Sequence, residues 1–240
     1  MAIALLVRHG RTTANANGLL AGRSPGVHLD ETGQAQAREL AERIGVVPIS
    51  RFVTSPLVRC RETAAALAGH QASKAGKDAV SVDSRLTECG YGSWTGRPLK
   101  ELAKQPLWKQ IQAQPSSVTF PDGESMRAMQ ARAVKAVRGI DAEVEAADGP
   151  DAVWVVVSHA DVIKSVLADA LGMHLDQFQR IAVDPASVSV VRYTPVRSFV
   201  LRMNDLGSDL RGLRPPKRRR RRASSDAVVG GGAGPDRRTG

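Results

Sequence analysis

Arg8-His9-Gly10 follows directly on the apolar run Ile3-Ala4-Leu5-Leu6-Val7. An imidazole at the end of a buried strand faces the open edge of a sheet, and the neighbouring guanidinium supplies a fixed cation. A neutral imidazole nitrogen is a nucleophile, so the pair suits attack on a dianionic phosphoryl group. Gly10 is expected to let the backbone pass close to a ligand. Ser158-His159 ends a second apolar run, Val153-Trp154-Val155-Val156-Val157, and would bring a second imidazole to the same edge. Arg59 comes just after Ser55-Pro56, near a helix start, where a guanidinium and a helix N-terminus both favour anions. Glu88 opens a glycine-rich stretch, residues 88–94. A carboxyl group beside bound phosphate has a raised pKa and can hold a proton for a leaving alkoxide. Each residue alone fits an ordinary structural role: a core histidine, a helix-start arginine, a loop carboxylate. Together they agree on phosphoryl chemistry.

Such a set needs a scaffold that gathers distant segments. The two continuous apolar runs predict buried strands. Phe52-Val53-Thr54 and Val80 to Val82 are shorter strand candidates. Residues 187–193 and 198–203 predict two strands joined by a turn at Pro195. Ala37, Leu40, Ala41 and Ile44 share one helical face that stops at Gly45. A helix is expected from about Leu57 to Gly69. Met126, Met129, Ala133, Val137, Ile140 and Val144 mark one face of a long helix with Asp122 as its N-cap. Another helix is expected from about Asp161 to Leu171. Strands alternating with helices predict an α/β, three-layer fold with a mostly parallel central sheet covered on both faces. Ligands bind beyond the carboxyl ends of such strands, where Arg8, His9 and His159 fall.

The chain has 240 residues, 42% hydrophobic, enough for a buried core. Its formal net charge of +10 is unevenly spread: residues 207–240 carry +7 and residues 1–206 only +3. The chain is therefore divided into a domain, 1–206, and a disordered arginine-rich tail, 207–240. The tail contains Lys217 followed by the five arginines Arg218 to Arg222. No apolar run reaches the roughly 20 residues of a membrane span. The Ile3–Val7 run is also too short for a signal-peptide core, so a cytoplasmic location is expected. Cys60 and Cys89 are too few for a disulfide scaffold. They flank Arg59 and Glu88, and two packing residues are the simpler reading than redox control.

The chain resembles the histidine phosphatase superfamily, which has the phosphoglycerate mutase-like fold, over residues 3–203. Residues 6–15 (LVRHGRTTAN) resemble its opening motif. Gly22-Arg23 with Leu29-Asp30-Glu31-Thr32-Gly33-Gln34-Ala35 resembles its second block. Residues 55–64, Arg85-Leu86-Thr87-Glu88 with Gly92 to Gly96, residues 120–125 and residues 156–159 follow in the family's order. The resemblance implies that His9 is the nucleophile that becomes phosphohistidine. Arg8, Arg59 and a protonated His159 would bind the phosphoryl oxygens, and Glu88 would be the proton donor and then the base for water. Asn15, Gly22 and Ala160 would line the substrate side, Thr12 less directly. No metal and no cofactor are implied. Two positions depart from the pattern. Arg11 stands where the family often has Glu, and Ala160 where it usually has Gly.

The short span between Glu88 and His159, and Cys89-Gly90-Tyr91 after the Glu, resemble the phosphatase branch. The expected function is metal-independent phosphomonoester hydrolysis of a small phosphorylated metabolite. The alternatives are a phosphoglycerate mutase-type phosphomutase and, from another class, a polyanion binder with a vestigial phosphatase body. The six cations Lys217 to Arg222 would give weak, salt-dependent attraction to polyanions, without interleaved aromatics for base stacking. Association into dimers or tetramers is a family-level expectation only. Arg23, Arg97 and Lys100 read as solvated loop charges, although contact with a second anionic group is open to them.

Overall fold

The computed structural model describes residues 2–75, 80–207 and 228–233. Six strands form one sheet: β1 Ile3–Arg8, β2 Arg51–Thr54, β3 Ser81–Val82, β4 Val153–Ser158, β5 Val188–Tyr193 and β6 Ser198–Asp205. Their order is β3-β2-β4-β1-β5-β6. The first four run parallel, while β5 pairs antiparallel with β1 and β6 antiparallel with β5. Strands β1 and β4 are central, flanked on both edges and covered on both faces. That is why their sequences are continuous apolar runs rather than alternating ones.

Alternate side chains of the sheet feed two separate cores. Ala4, Leu6, Val53, Trp154 and Val156 join one, and Leu5, Val7, Phe52, Val155 and Val157 join the other. Seven α-helices lie among the described residues: α1 Thr13–Ala16, α2 Glu31–Ile44, α3 Val58–Ala75, α4 Leu99–Leu102, α5 Pro106–Ala113, α6 Met126–Asp148 and α7 Ala160–Ala170. Helices α2 and α3 cover the second core with Leu40, Ala41, Ile44, Ala64 and Leu67. Helices α6 and α7 cover the first with Met129, Ala133, Val137, Val162 and Ile163. The three-layer α/β architecture expected from the sequence is the one found. No helix among the described residues is long and apolar enough to cross a membrane.

Several local expectations change. The long helix α6 is capped by Ser125, whose hydroxyl accepts from the Ala128 amide, and not by Asp122. Asp122 has φ of 56° and sits in a tight turn with Gly123, against which Gly92 packs. Helix α3 runs on past Gly69 to Ala75. Helices α4 and α5 lie in a region where no element was expected. The tail is the largest difference. Residues 208–227, including Lys217 to Arg222, and residues 234–240 lie outside the described residues. Residues 228–233, however, are folded against the body, with Val229 buried in the first core.

Gly10 serves a purpose other than the expected approach to a ligand. A Cβ there would lie 2.5 Å from the Gly33 carbonyl oxygen. Reciprocally, a Cβ on Gly33 would lie 2.0 Å from the carbonyl oxygen of Arg11. The loop after β1 is thus pressed backbone to backbone on the first turn of α2, and two glycines from separate sequence blocks form one contact. Asp30 caps α2 on the Gly33 amide at 2.7 Å and also accepts from Arg11 Nε at 2.8 Å. Arg11 therefore points along α2, its side chain 29% exposed, and pairs there.

Two stability outcomes follow. Gly33→Ala forces the β1 loop off α2 and should cost about 1–3 kcal/mol in urea unfolding, the usual range for overpacking. Leu6→Ala, in the centre of the sheet, should cost about 2–5 kcal/mol in the same measurement. A wild-type midpoint for Gly33→Ala would show that the close glycine contact is not needed.

Candidate active site

The parallel register of the two central strands creates the site. Arg8 of β1 pairs with Ser158 of β4, so the next residues, His9 and His159, leave the sheet side by side. Their ring centroids are 5.3 Å apart. Strand β2 lies on the other edge of β4, with Thr54 opposite Val157. It delivers Ser55 and the start of α3, and Arg59 is the second residue of that helix.

Each side chain has defined partners. His9 Nδ1 is 2.7 Å from the Gly10 carbonyl oxygen. A carbonyl can only accept, so Nδ1 carries the proton and Nε2 keeps its lone pair. Arg59 Nε donates to that Nε2 at 3.3 Å, and Arg59 Nη2 donates to the Gly22 carbonyl at 2.7 Å. Arg8 Nη1 donates to the Val183 carbonyl at 2.8 Å. His159 Nε2 lies 2.8 Å from Ser55 Oγ, and its Nδ1 lies 3.8 Å from Glu88 Oε2. Both arginines are buried, Arg8 1% and Arg59 2% exposed. Arg59 Nη1 and Arg8 Nε have no hydrogen-bond partner among the described residues. A buried guanidinium with unused donors favours an anion.

The electrostatics are asymmetric. Burial, then Arg59 and Arg8, push His9 well below its ordinary pKa, so it is neutral at neutral pH. The same burial and Arg59 push His159 down as well. Before an anion binds, the positive charge beside His159 therefore comes from the two guanidinium groups. Glu88 moves the other way. Burial and the nearby Asp161 raise it to about 7, against the lowering influence of Arg59. Burial lowers even Arg8 to about 10, opposed by Asp184, Glu88 and Asp161.

The substrate-side residues are distributed around this centre. Thr12, Asn15 and Gly22 line the same cleft as His9, Arg59 and Glu88. Asn15 and Thr12 also cap each other across α1, with the Thr12 hydroxyl donating to Asn15 Oδ1 at 2.9 Å. Ala160 is fully buried at the first position of α7. Arg23 is not a free loop charge. It donates to the Glu88 carbonyl at 2.8 Å and to Glu124 Oε2 at 2.9 Å. The two thiols are buried, and burial pushes Cys60 to about 12 and Cys89 well above its ordinary value. Burial thus disfavours the thiolate at both positions, as expected of packing residues.

Sequence reasoning overlooked the groups behind these residues. Arg132, on α6, donates to the backbone carbonyls of Arg85, Thr87 and Glu88 at 2.7, 2.8 and 3.1 Å. It also pairs with Glu124 at 2.6 Å. This clamp holds the backbone that carries Glu88. Asp161 is fully buried, accepts from Tyr91 Oη at 2.8 Å and lies 3.7 Å from Lys164 Nζ. Its position two residues after His159 was the available signal. Arg132 offered none, because it lies on a helix remote in sequence from Glu88.

Comparison with known proteins places the chain in a family. Residues 4–206 match the family model of the histidine phosphatase superfamily (branch 1). Phosphoserine phosphatase 1 of Hydrogenobacter thermophilus is 30% identical over 205 residues, which is 83% of this chain and 90% of that protein. A probable phosphoglycerate mutase of Yersinia enterocolitica is 30% identical over 190 residues, 78% of this chain and 83% of that protein. Some other curated relatives are longer, and this chain spans only 54% of their length. A mycobacterial glucosyl-3-phosphoglycerate phosphatase, solved with VO3, superposes with a TM-score of 0.75. It is 25% identical and the match covers 84% of this chain and 98% of that one. The chain belongs to branch 1 of the histidine phosphatase superfamily.

Proposed function

We propose that the protein hydrolyses phosphomonoesters of small metabolites through a phosphohistidine intermediate on His9, without a metal. One observation carries this reading. The unprotonated Nε2 of His9 faces the Arg59 guanidinium in the cleft that also holds Glu88.

In this mechanism the phosphoryl oxygens take the unused donors of Arg59 and Arg8. His9 Nε2 attacks phosphorus, and the bond to the ester oxygen breaks. Glu88, held near neutral pH, gives its proton to the leaving alkoxide. The resulting carboxylate then takes a proton from water as that water attacks the phosphohistidine, releasing phosphate and restoring both groups. His159 is neutral until a dianion arrives. The added negative charge favours its protonated form, so it joins the arginines as the substrate binds. Pre-oriented cations aimed at the transition-state oxygens carry much of the rate enhancement. Water is the acceptor in this reading because the segment between Glu88 and His159 is short. Asn15, Gly22 and Ala160 are assigned to the substrate side.

Two measurements test it. The purified protein should hydrolyse p-nitrophenyl phosphate in the presence of EDTA, and denaturation in alkali during turnover should trap acid-labile phosphate. His9→Ala should abolish both; retained turnover in that variant would remove the mechanism. The second test is pH. Glu88 must be protonated to donate, so turnover of an alkyl phosphate should fall as pH rises through about 7. It should hold on the acid side until His9 itself protonates, well below its ordinary pKa. Glu88→Gln should lower alkyl-ester turnover roughly 10²–10⁴-fold and flatten the alkaline limb. The pre-steady-state burst with p-nitrophenyl phosphate, whose anion leaves without a proton, should be far less affected. An unchanged pH profile in Glu88→Gln would assign the proton to another group.

A further inference from the structure

The glycine run near the C-terminus has a place in the structure that the hydrolase reading does not absorb. Val229 is 1% exposed and packs within the first core. The amide of Gly231 donates to the Val228 carbonyl at 2.9 Å, which closes a turn. The Gly230 amide donates to Asp161 Oδ2 at 2.8 Å. Arg8 Nη2 then donates to the carbonyls of Gly231 and Gly232 at 3.0 and 2.8 Å. This is the arginine that ends β1, directly before His9.

The fit demands glycine. Gly230 and Gly231 have φ of 75° and 67°. A Cβ on Gly231 would lie 2.4 Å from Ala160 Cβ and 2.9 Å from Arg8 Nη1. A Cβ on Gly230 would lie 2.8 Å from Leu20 Cδ1. Residues 229–232 line the same cleft as His9, Arg59 and Glu88, and the space left there is about 20 Å³. That is close to what a single water needs, and a phosphate ester is several times larger. Two neutral carbonyl oxygens thus sit on a cation that would otherwise engage anionic oxygens.

We propose that the active-site cleft is also a docking site for the chain's own Val228–Gly232 segment, which competes with phosphate esters for Arg8. This rests on the hydrolase reading for its consequence, but not for the docking itself. A neutral acceptor pair is a weaker partner for a guanidinium than a dianion, so the substrate displaces the segment reversibly. The apparent dissociation constant of any phosphate ligand is its intrinsic value divided by the undocked fraction, while the chemical step is unchanged.

The test compares the full chain with two full-length variants, Gly231→Val and Val229→Asp. The first cannot enter beside Ala160, and the second would bury an unpaired carboxylate. Thermal melting followed by circular dichroism checks that each body is folded. Calorimetric titration with inorganic phosphate should show binding tightened by roughly three- to tenfold in both variants. The KM for p-nitrophenyl phosphate should fall by the same factor with kcat unchanged. Equal or weaker phosphate binding in both folded variants overturns the proposal, whether or not the protein turns over. Tighter phosphate binding in a protein that hydrolyses nothing would support the docking while removing the hydrolase reading.

Discussion

Burying two guanidinium groups in one pocket is the constraint around which the rest is arranged. Removing a cation from water is costly unless its donors and charge find partners. Arg8 has carbonyl acceptors and the carboxyl groups of Asp184, Glu88 and Asp161 nearby, and it is still shifted down to about 10. Arg59 spans the Gly22 carbonyl, His9 and His159. Burial, and then the positive field that remains, keeps both imidazoles neutral. Burial beside Asp161 holds the Glu88 carboxyl near neutral pH at the same time. A base, an acid and two cations coexist within one cleft because each is buried with a different neighbour. An anion arriving there completes a charge balance that the protein leaves open.

The sheet meets this constraint through register. Parallel pairing of β1 and β4 sets Arg8 level with Ser158, and one further residue on each strand places the two imidazoles in contact. A slip of one residue would turn His9 to the opposite face. The register is held by the two apolar runs, whose alternate side chains belong to different cores. The close Gly10–Gly33 contact fixes the direction of the loop after β1. The same hydrophobic layering that stabilises the domain therefore sets the geometry of the site.

Glu88 has no strand to hold it. It lies after a short helical turn, and its backbone is fastened by Arg132 from α6 and Arg23 from the loop after α1. Both arginines also meet Glu124, whose carboxyl they hold below its ordinary range against the opposing effect of burial. The acid of the site is thus positioned by an ion-pair cluster, while the histidines are positioned by strands. The Asp161 side chain, beyond it, links Tyr91, Lys164 and the docked Gly230 amide.

The sequence by itself determined the three-layer plan, the two buried central strands and the identity of the five residues that meet at their ends. Those features are local or periodic: an uninterrupted apolar run can only be a buried strand or helix, and a polar residue at its end can only face out of the layer. Arg8, His9, Arg59, Glu88 and His159 were legible because each stands at such an end or turn. The tertiary structure alone decided that Gly10 packs on Gly33, that Arg132 and Arg23 brace Glu88, and that His159 is neutral without a ligand. It also decided that Val229 and the following glycines return to the cleft, against the expectation of a wholly disordered tail. Val229 and the glycines after it offer too little apolar surface to fold by themselves, and they pack in a pocket formed by other segments. Each of these contacts joins residues far apart in the chain through charge or backbone fit, and neither leaves a period in the sequence.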